Sequence, residues 1–302
     1  MKKIKYILLT IIFIVFIINI DIVIKSARNA SFVFFNKVFV SIFPFIILSD
    51  ILYYFNYHIF LKDNIGSFIS KIFKINSESS TVFLFSLFTS HPANAIYIKN
   101  MLDNNEISVN NASNLLCYTY FPSISFVIGS VGIGLYNNYK FGLFLYLVCL
   151  INNILIGLFL RDKNDINICN NIRCDNGNLL DTFYNSIMKG INTSFIILGN
   201  LIVFTIIINL IIKYFNINSY ILSIFSGVLE LTSGVINVSN INSSLSIKFC
   251  MTAFILCFSG LSILFQSFTI LSKYKINIKK ILIIKLIFSI ITICLLYLLN
   301  II

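Results

Sequence analysis

Nine apolar runs decide what this chain can fold into. They fall at 4–24, 38–57, 82–98, 113–135, 141–160, 191–212, 220–238, 250–271 and 281–299. Most approach the ~20 residues that an α-helix needs to cross the hydrocarbon core of a bilayer. Within that core every backbone N–H and C=O must be paired inside the segment, so runs of this length span as helices. The composition agrees, with 58% hydrophobic and 11% charged residues against about 25% charged in soluble domains. The fold class is an all-α polytopic membrane protein. The first run, in MKKIKYILLTIIFIVFIINIDIVIK, is too long for the apolar region of a secretory signal, and no small-x-small cleavage pattern follows. It is read as a retained first span.

The formal charge of +11 resides in short loops between apolar runs. There it sets orientation and faces lipid headgroups, so membrane lipids are the expected partner and nucleic acid is not. Of the seven cysteines, Cys117, Cys149, Cys250, Cys257 and Cys294 lie in apolar runs and read as small hydrophobes. Cys169 and Cys174 share a polar loop, where pairing is left open.

Two runs are interrupted. TSHPANA (89–95) places Ser90, His91, Pro92 and Asn94 in the middle of 82–98, and YILSIFSGVLELTSGVINV (220–238) carries Gly227, Glu230, Thr232, Ser233 and Gly234. Irregular backbone at membrane depth survives only where protein covers it or where it lines a wet cavity. The two interruptions also occupy matching places. Ser90 precedes FPSIS by 31 residues (121 minus 90), and Glu230 precedes SGLS by 29 (259 minus 230). Each half runs span, broken segment, Ser-bearing span, clean span. Paired interrupted segments in corresponding positions point to a transporter-type binding site.

Charge counting favours re-entry over crossing. With a cytoplasmic amino end and nine full crossings, 12 Lys and Arg lie inside and 9 outside; if 82–98 and 220–238 return to their own side, the count is 15 against 6, leaving aside Lys285. The second arrangement obeys the positive-inside rule better. It gives each repeat three crossings, so the repeats are inverted. The expected units are an amino-terminal helix at 1–30, a first repeat at 31–160, a polar connection at 161–190 and a second repeat at 191–302.

Four motifs, SIFPFIILSDIL (41–52), TSHPANA (89–95), SGVLELTSG (226–234) and CFSGLSILFQ (257–266), together resemble the YlbJ family of sporulation integral membrane proteins, within the wider nucleoside-recognition or Gate group. The resemblance covers nearly the whole chain. It implies a fold similar to concentrative nucleoside transporters, an outer forespore membrane location and movement of dipicolinic acid toward the forespore. Where the family reads Gly-Tyr-Pro-x-Gly-Ala, this chain has Ser90-His91-Pro92-Ala93-Asn94-Ala95.

The candidate site residues are polar groups at membrane depth. Glu230 and Asp50 are intramembrane acids, which need a partner, a proton or a cavity. Glu230 is expected to accept a proton, to hold a coupling cation or to bond the N–H groups freed at a break. Ser90, His91, Asn94 and Thr232 sit at the interruptions. Ser259, Ser262, Gln266 and Thr269 recur at helical spacing, as do Thr119, Ser123 and Ser130 in the first half. Each stripe also fits helix–helix hydrogen bonding. Gly129, Gly132 and Gly134 read as close-packing positions, and Lys248 and Lys285 as cations able to attract an anion, with an interfacial place the favoured reading of Lys248. No hydrolase triad, phosphate loop, metal cluster or nucleotide fingerprint is present in the sequence, so no enzyme activity and no cofactor are expected. The expected work is passage of a small anionic solute. A nucleoside or base is the alternative cargo, a non-transporting scaffold for spore-envelope assembly is the alternative role, and homo-oligomerisation is left open.

Overall fold

The structure is a computed structural model that describes residues 2–55, 57–75, 77–87, 93–120, 122–161, 179–215 and 217–298. All regular elements among these are helical. The chain begins with α1 (Lys2–Ile18), α2 (Ile20–Val33) and α3 (Val40–Tyr54), the last two joined by a π-helical turn at Phe34–Phe39. Then come α4 (Tyr57–Leu61), α5 (Ser67–Phe73), α6 (Ser77–Ser86), α7 (Ala93–Asp103) and α8 (Val109–Tyr118). A π segment (Ser125–Leu135) and α9 (Tyr139–Phe159) complete the first half. The second half contains α10 (Leu179–Tyr214), α11 (Ser219–Leu229), α12 (Leu231–Asn240), α13 (Leu245–Phe258), α14 (Leu261–Ile270) and α15 (Ile278–Leu298).

Short polar caps start several of these helices. Ser108, Asn138, Asn218 and Ser244 each accept a hydrogen bond from an amide in the first turn of the helix that follows, which satisfies a donor that has no partner inside the helix. Among the described residues five helical stretches are long and apolar enough to cross a membrane: Ile20–Leu52, Tyr139–Phe159, Leu180–Tyr214, Leu245–Ile270 and Ile278–Leu298.

The first two apolar runs are not separate spans with a loop between them. The chain turns at Asn19 and then continues as one helix of 33 residues, Ile20–Leu52. Likewise α10 starts at Leu179, inside the stretch expected to be a polar connection; residues 162–178, with Cys169 and Cys174, lie outside the described residues. The polar positions that suggested loops are held by a neighbour instead. The Asn19 side chain exchanges hydrogen bonds with the Tyr214 hydroxyl and accepts from Lys213, and Asn209 donates to Ser26 at 2.8 Å. Farther along, Asp50 of α3 accepts from Ser186 of α10. As one helix advances the other retreats, so the two long helices pack antiparallel.

Helices α11 and α12 fold back on each other around Glu230, whose backbone is extended (φ −142°, ψ 121°). Gly227 and Gly234 face each other across the hairpin, where a Cβ on Gly234 would sit 2.1 Å from the Gly227 Cα. Asn237 donates to Ser226 at 3.0 Å along the same seam. These glycines permit helix contact. Gly132 and Gly142 do the same for the π segment and α9. At 1.5 Å per residue α11 and α12 each reach about 15 Å, half of a ~30 Å hydrocarbon core. In the first half, α6 and α7 flank residues 88–92 and bring the Phe85 and Tyr97 rings to 6.4 Å.

The Ser-bearing segments are broken as well. The 113–135 run is interrupted between α8 and the π segment. The 250–271 run breaks at Ser259 (φ 75°) and Gly260 (φ 71°). The bundle buries polar groups among two hydrophobic clusters and is apolar outside. Ser80, Ser86, Asn152, Ser226, Ser259 and Lys285 are fully buried, whereas Phe32, Val40, Phe159 and Leu298 are exposed, the pattern expected where lipid is the surrounding medium.

Candidate functional site

Three described breaks, before the π segment, at Glu230 and at Ser259–Gly260, come together beside one cavity, and each leaves helix-end groups that need partners. At the tip of the α11–α12 hairpin, Glu230 is 3% exposed. Its Oε1 accepts from the Thr232 amide at 2.9 Å and its Oε2 from the Ser233 amide at 2.5 Å. Of the three roles expected for this acid, the geometry displays the third. The carboxylate caps α12, and the positive end of that helix supplies the compensation that a buried charge requires.

Beside it lies a cavity of about 60 Å³. Its wall comes from four parts of the chain: Pro122, Ser123 and Phe126 from the first-half break, Ile197 and Asn200 from α10, Glu230–Thr232 from the hairpin tip, and Ser262, Ile263 and Gln266 from α14, with Ile42 of α3. Ser123, Glu230, Thr232, Ser262 and Gln266 line the same cavity. Ser262 is 6% exposed, and among the described residues its hydroxyl has no hydrogen-bond partner. It stands in the first turn of α14, whose N-cap is Gly260 and which has no side-chain cap. A partnerless hydroxyl on an uncapped helix N-terminus is a place where a carboxylate is stabilised. Among the described residues the lining contains no Lys or Arg.

Other candidates serve elsewhere. Asn94, 2% exposed, donates to the Thr119 carbonyl at 2.6 Å, and Thr119 Oγ1 donates to the Leu115 carbonyl. Both close the end of α8 and neither lines the cavity. Ser259 is the left-handed cap of α13, and its hydroxyl is within 3.3 Å of the Tyr120 carbonyl. The supposed stripe therefore does not lie on one helix: Ser259 ends α13, while Ser262, Gln266 and Thr269 belong to α14. In the same way Thr119 ends α8 and Ser123 precedes the π segment. Asp50 is paired with Lys189 and Ser186, away from the cavity lining. Ser90 and His91 lie outside the described residues.

Lys248 and Lys285 both hold backbone oxygens. Lys248 donates to the Ser239 carbonyl at 2.9 Å. Lys285, with no exposed surface, donates to the carbonyls of Tyr120 and Cys257. Asn200 was missed by the sequence reading, although an Asn inside an apolar run was the available signal. Among the described residues no group of three His, Cys, Asp or Glu could hold a metal ion.

Compared with curated proteins, the chain is 23% identical over 294 residues to the sporulation integral membrane protein YlbJ of Bacillus subtilis (strain 168), covering 84% of this chain and 72% of the relative. This agrees with the resemblance carried by the four motifs. No family model matches the chain. No solved structure matches it.

Proposed function

From its similarity to a YlbJ sporulation integral membrane protein, we propose that this chain is a membrane protein of sporulation that passes a small anionic solute, dipicolinate, across a bilayer toward the forespore. The observation that carries the reading is the cavity at the meeting of the breaks, with the uncapped α14 N-terminus and the partnerless Ser262 hydroxyl on its wall. These groups suit one carboxylate of the solute. Asn200, Gln266, Ser123 and Thr232 add neutral hydrogen-bonding groups. Glu230 is already held by α12 and positions the hairpin tip. The work is passage, with no bond made or broken.

Two inverted repeats with re-entrant hairpins, as in concentrative nucleoside transporters, form the architecture of this proposal. Three observations support it. The Tyr274 hydroxyl, before α15, donates to Asp103 at the end of α7, and Lys280 reaches Asn114 at 2.5 Å. Nine full crossings would put those partners on opposite membrane faces, whereas re-entry puts them on one. Second, Ser259 meets Tyr120 and Thr292 meets Asn152, pairs 139 and 140 positions apart. Near-constant spacing of touching residues suits halves related by a two-fold axis. Third, NASFV (29–33) and NTSFI (192–196) echo each other on the two long helices.

A cavity of about 60 Å³ holds a few water molecules and is far below the 300–1,000 Å³ of ordinary ligand pockets. Passage therefore requires the segments that wall the cavity to part. Uptake into proteoliposomes, with dipicolinate, uridine and a control dicarboxylate side by side, tests the reading. Dipicolinate uptake above both others is expected. Uridine uptake alone would move the assignment to a nucleoside, and uptake of none would favour a scaffold.

A further inference from the structure

Lys285 is the most deeply buried charged side chain among the described residues, at 0% exposure in the middle of α15. The solute reading gives it no task. Its partners are unusual for a buried ammonium. The Nζ donates to the Tyr120 carbonyl, to the Cys257 carbonyl at 3.3 Å and to the Ser259 hydroxyl at 3.3 Å. It also lies 5.2 Å from the centroid of the Tyr120 ring. Among the described residues none of its hydrogen-bond partners is a carboxylate.

What these oxygens share is their place in the fold. Tyr120 follows the end of α8, and Cys257 and Ser259 flank the end of α13. Each helix C-terminus carries roughly half a negative elementary charge on its unpaired carbonyls. Two such ends pointing at one spot amount to about one negative charge, spread over hard oxygen atoms. Broken helices present that environment to a bound alkali cation, through unwound carbonyls and half-helix C-terminal ends. Here the centre is filled from within the chain, by an ammonium carried on a third helix.

We propose that the joint between α8 and α13 is a monovalent-cation site whose resident cation is the side chain of Lys285. The chain then needs no sodium or potassium ion at this joint. The ammonium holds a first-half break and a second-half break together, and it leaves only with movement of α15. This inference does not rest on the identity of the solute.

The test reads thermal unfolding of the purified full chain in detergent, in sodium chloride and in choline chloride of equal ionic strength. The wild type should unfold at the same temperature in both. A saturable rise with sodium in the wild type would overturn the proposal, and that arm needs no variant. Lys285→Ala should unfold roughly 5 °C or more lower in choline and recover in a saturable way with sodium or n-propylammonium. Lys285→Met as stable in choline as the wild type would show that the carbonyls need no cation, and so would a folded Lys285→Ala that responds to no cation. If Lys285→Ala is not recovered in any salt, its purification in n-propylammonium throughout decides the matter: folded protein supports the proposal, and none overturns it. Solute uptake enters none of these readouts, so failure here and failure of the dipicolinate reading remain distinct.

Discussion

The Ser233 amide donates to Glu230 Oε2 at 2.5 Å, and this bond sets the first turn of α12. Together with the bond from Thr232 it uses both carboxylate oxygens at the hairpin tip. Replacing the charge tests the cap. Glu230→Gln retains one acceptor oxygen and turns an amino group toward the other amide, at a cost of about 1–2 kcal/mol. Glu230→Asp keeps the charge with a shorter reach and should lose less. Differential scanning fluorimetry in detergent should place Gln below Asp below wild type, with solute uptake falling in the same order. Identical unfolding temperatures and uptake in all three would remove the cap from the account.

Ser262 offers the opposite case, a buried polar group with no hydrogen-bond partner among the described residues. Ser262→Ala removes an unsatisfied hydroxyl, so stability should hold or rise slightly. If the hydroxyl meets the carboxylate of the solute, uptake at low concentration should fall about ten- to a hundredfold, the equivalent of one hydrogen bond to a charged group. Unchanged uptake kinetics would take Ser262 out of the binding wall.

The hairpin seam predicts a sharp difference between two glycines. Gly234→Ala drives a methyl into the Gly227 backbone, where neither side can retreat. Overpacking of this kind costs about 1–3 kcal/mol and should lower the yield of folded protein. Gly199→Ala, on an open face of α10 with nothing within 4 Å, should be neutral or stabilising by up to about 1 kcal/mol. Equal effects would contradict the packing described for the seam.

Topology has a direct readout. In a background without the native cysteines, Asn105→Cys and Lys275→Cys should be labelled by a membrane-impermeant maleimide from the same side, the side of the amino terminus. The Tyr274–Asp103 bond requires their proximity, and it also holds the Tyr274 hydroxyl above its usual pKa. Labelling from opposite sides would sink the re-entrant arrangement.

Apolar runs located the helices well because burial in lipid demands length and hydropathy, and both are written locally. Glu230 was legible for the same reason: an acid in such a run has few structural excuses. The breaks in the Ser-bearing segments were not legible. Around Ser259 the sequence reads CFSGLS, which hydropathy cannot tell from a continuous helix, and the left-handed turn there is held by Lys285 from a distant span. Asp50 misled for a related reason. Its position in a run suggested depth, while its partner Lys189 came from a stretch expected to be loop. The role of Lys285 depended on where two other helices end, which no local pattern records.

The tightness of the central cavity bears on bioenergetics. A bilayer that stores proton and potassium gradients tolerates no standing water wire through its proteins. The few water molecules that about 60 Å³ admits are walled by Ile42, Phe126, Ile197, Leu231 and Ile263 as much as by polar groups. Around this cavity the apolar side chains leave little room for water molecules to join into such a wire.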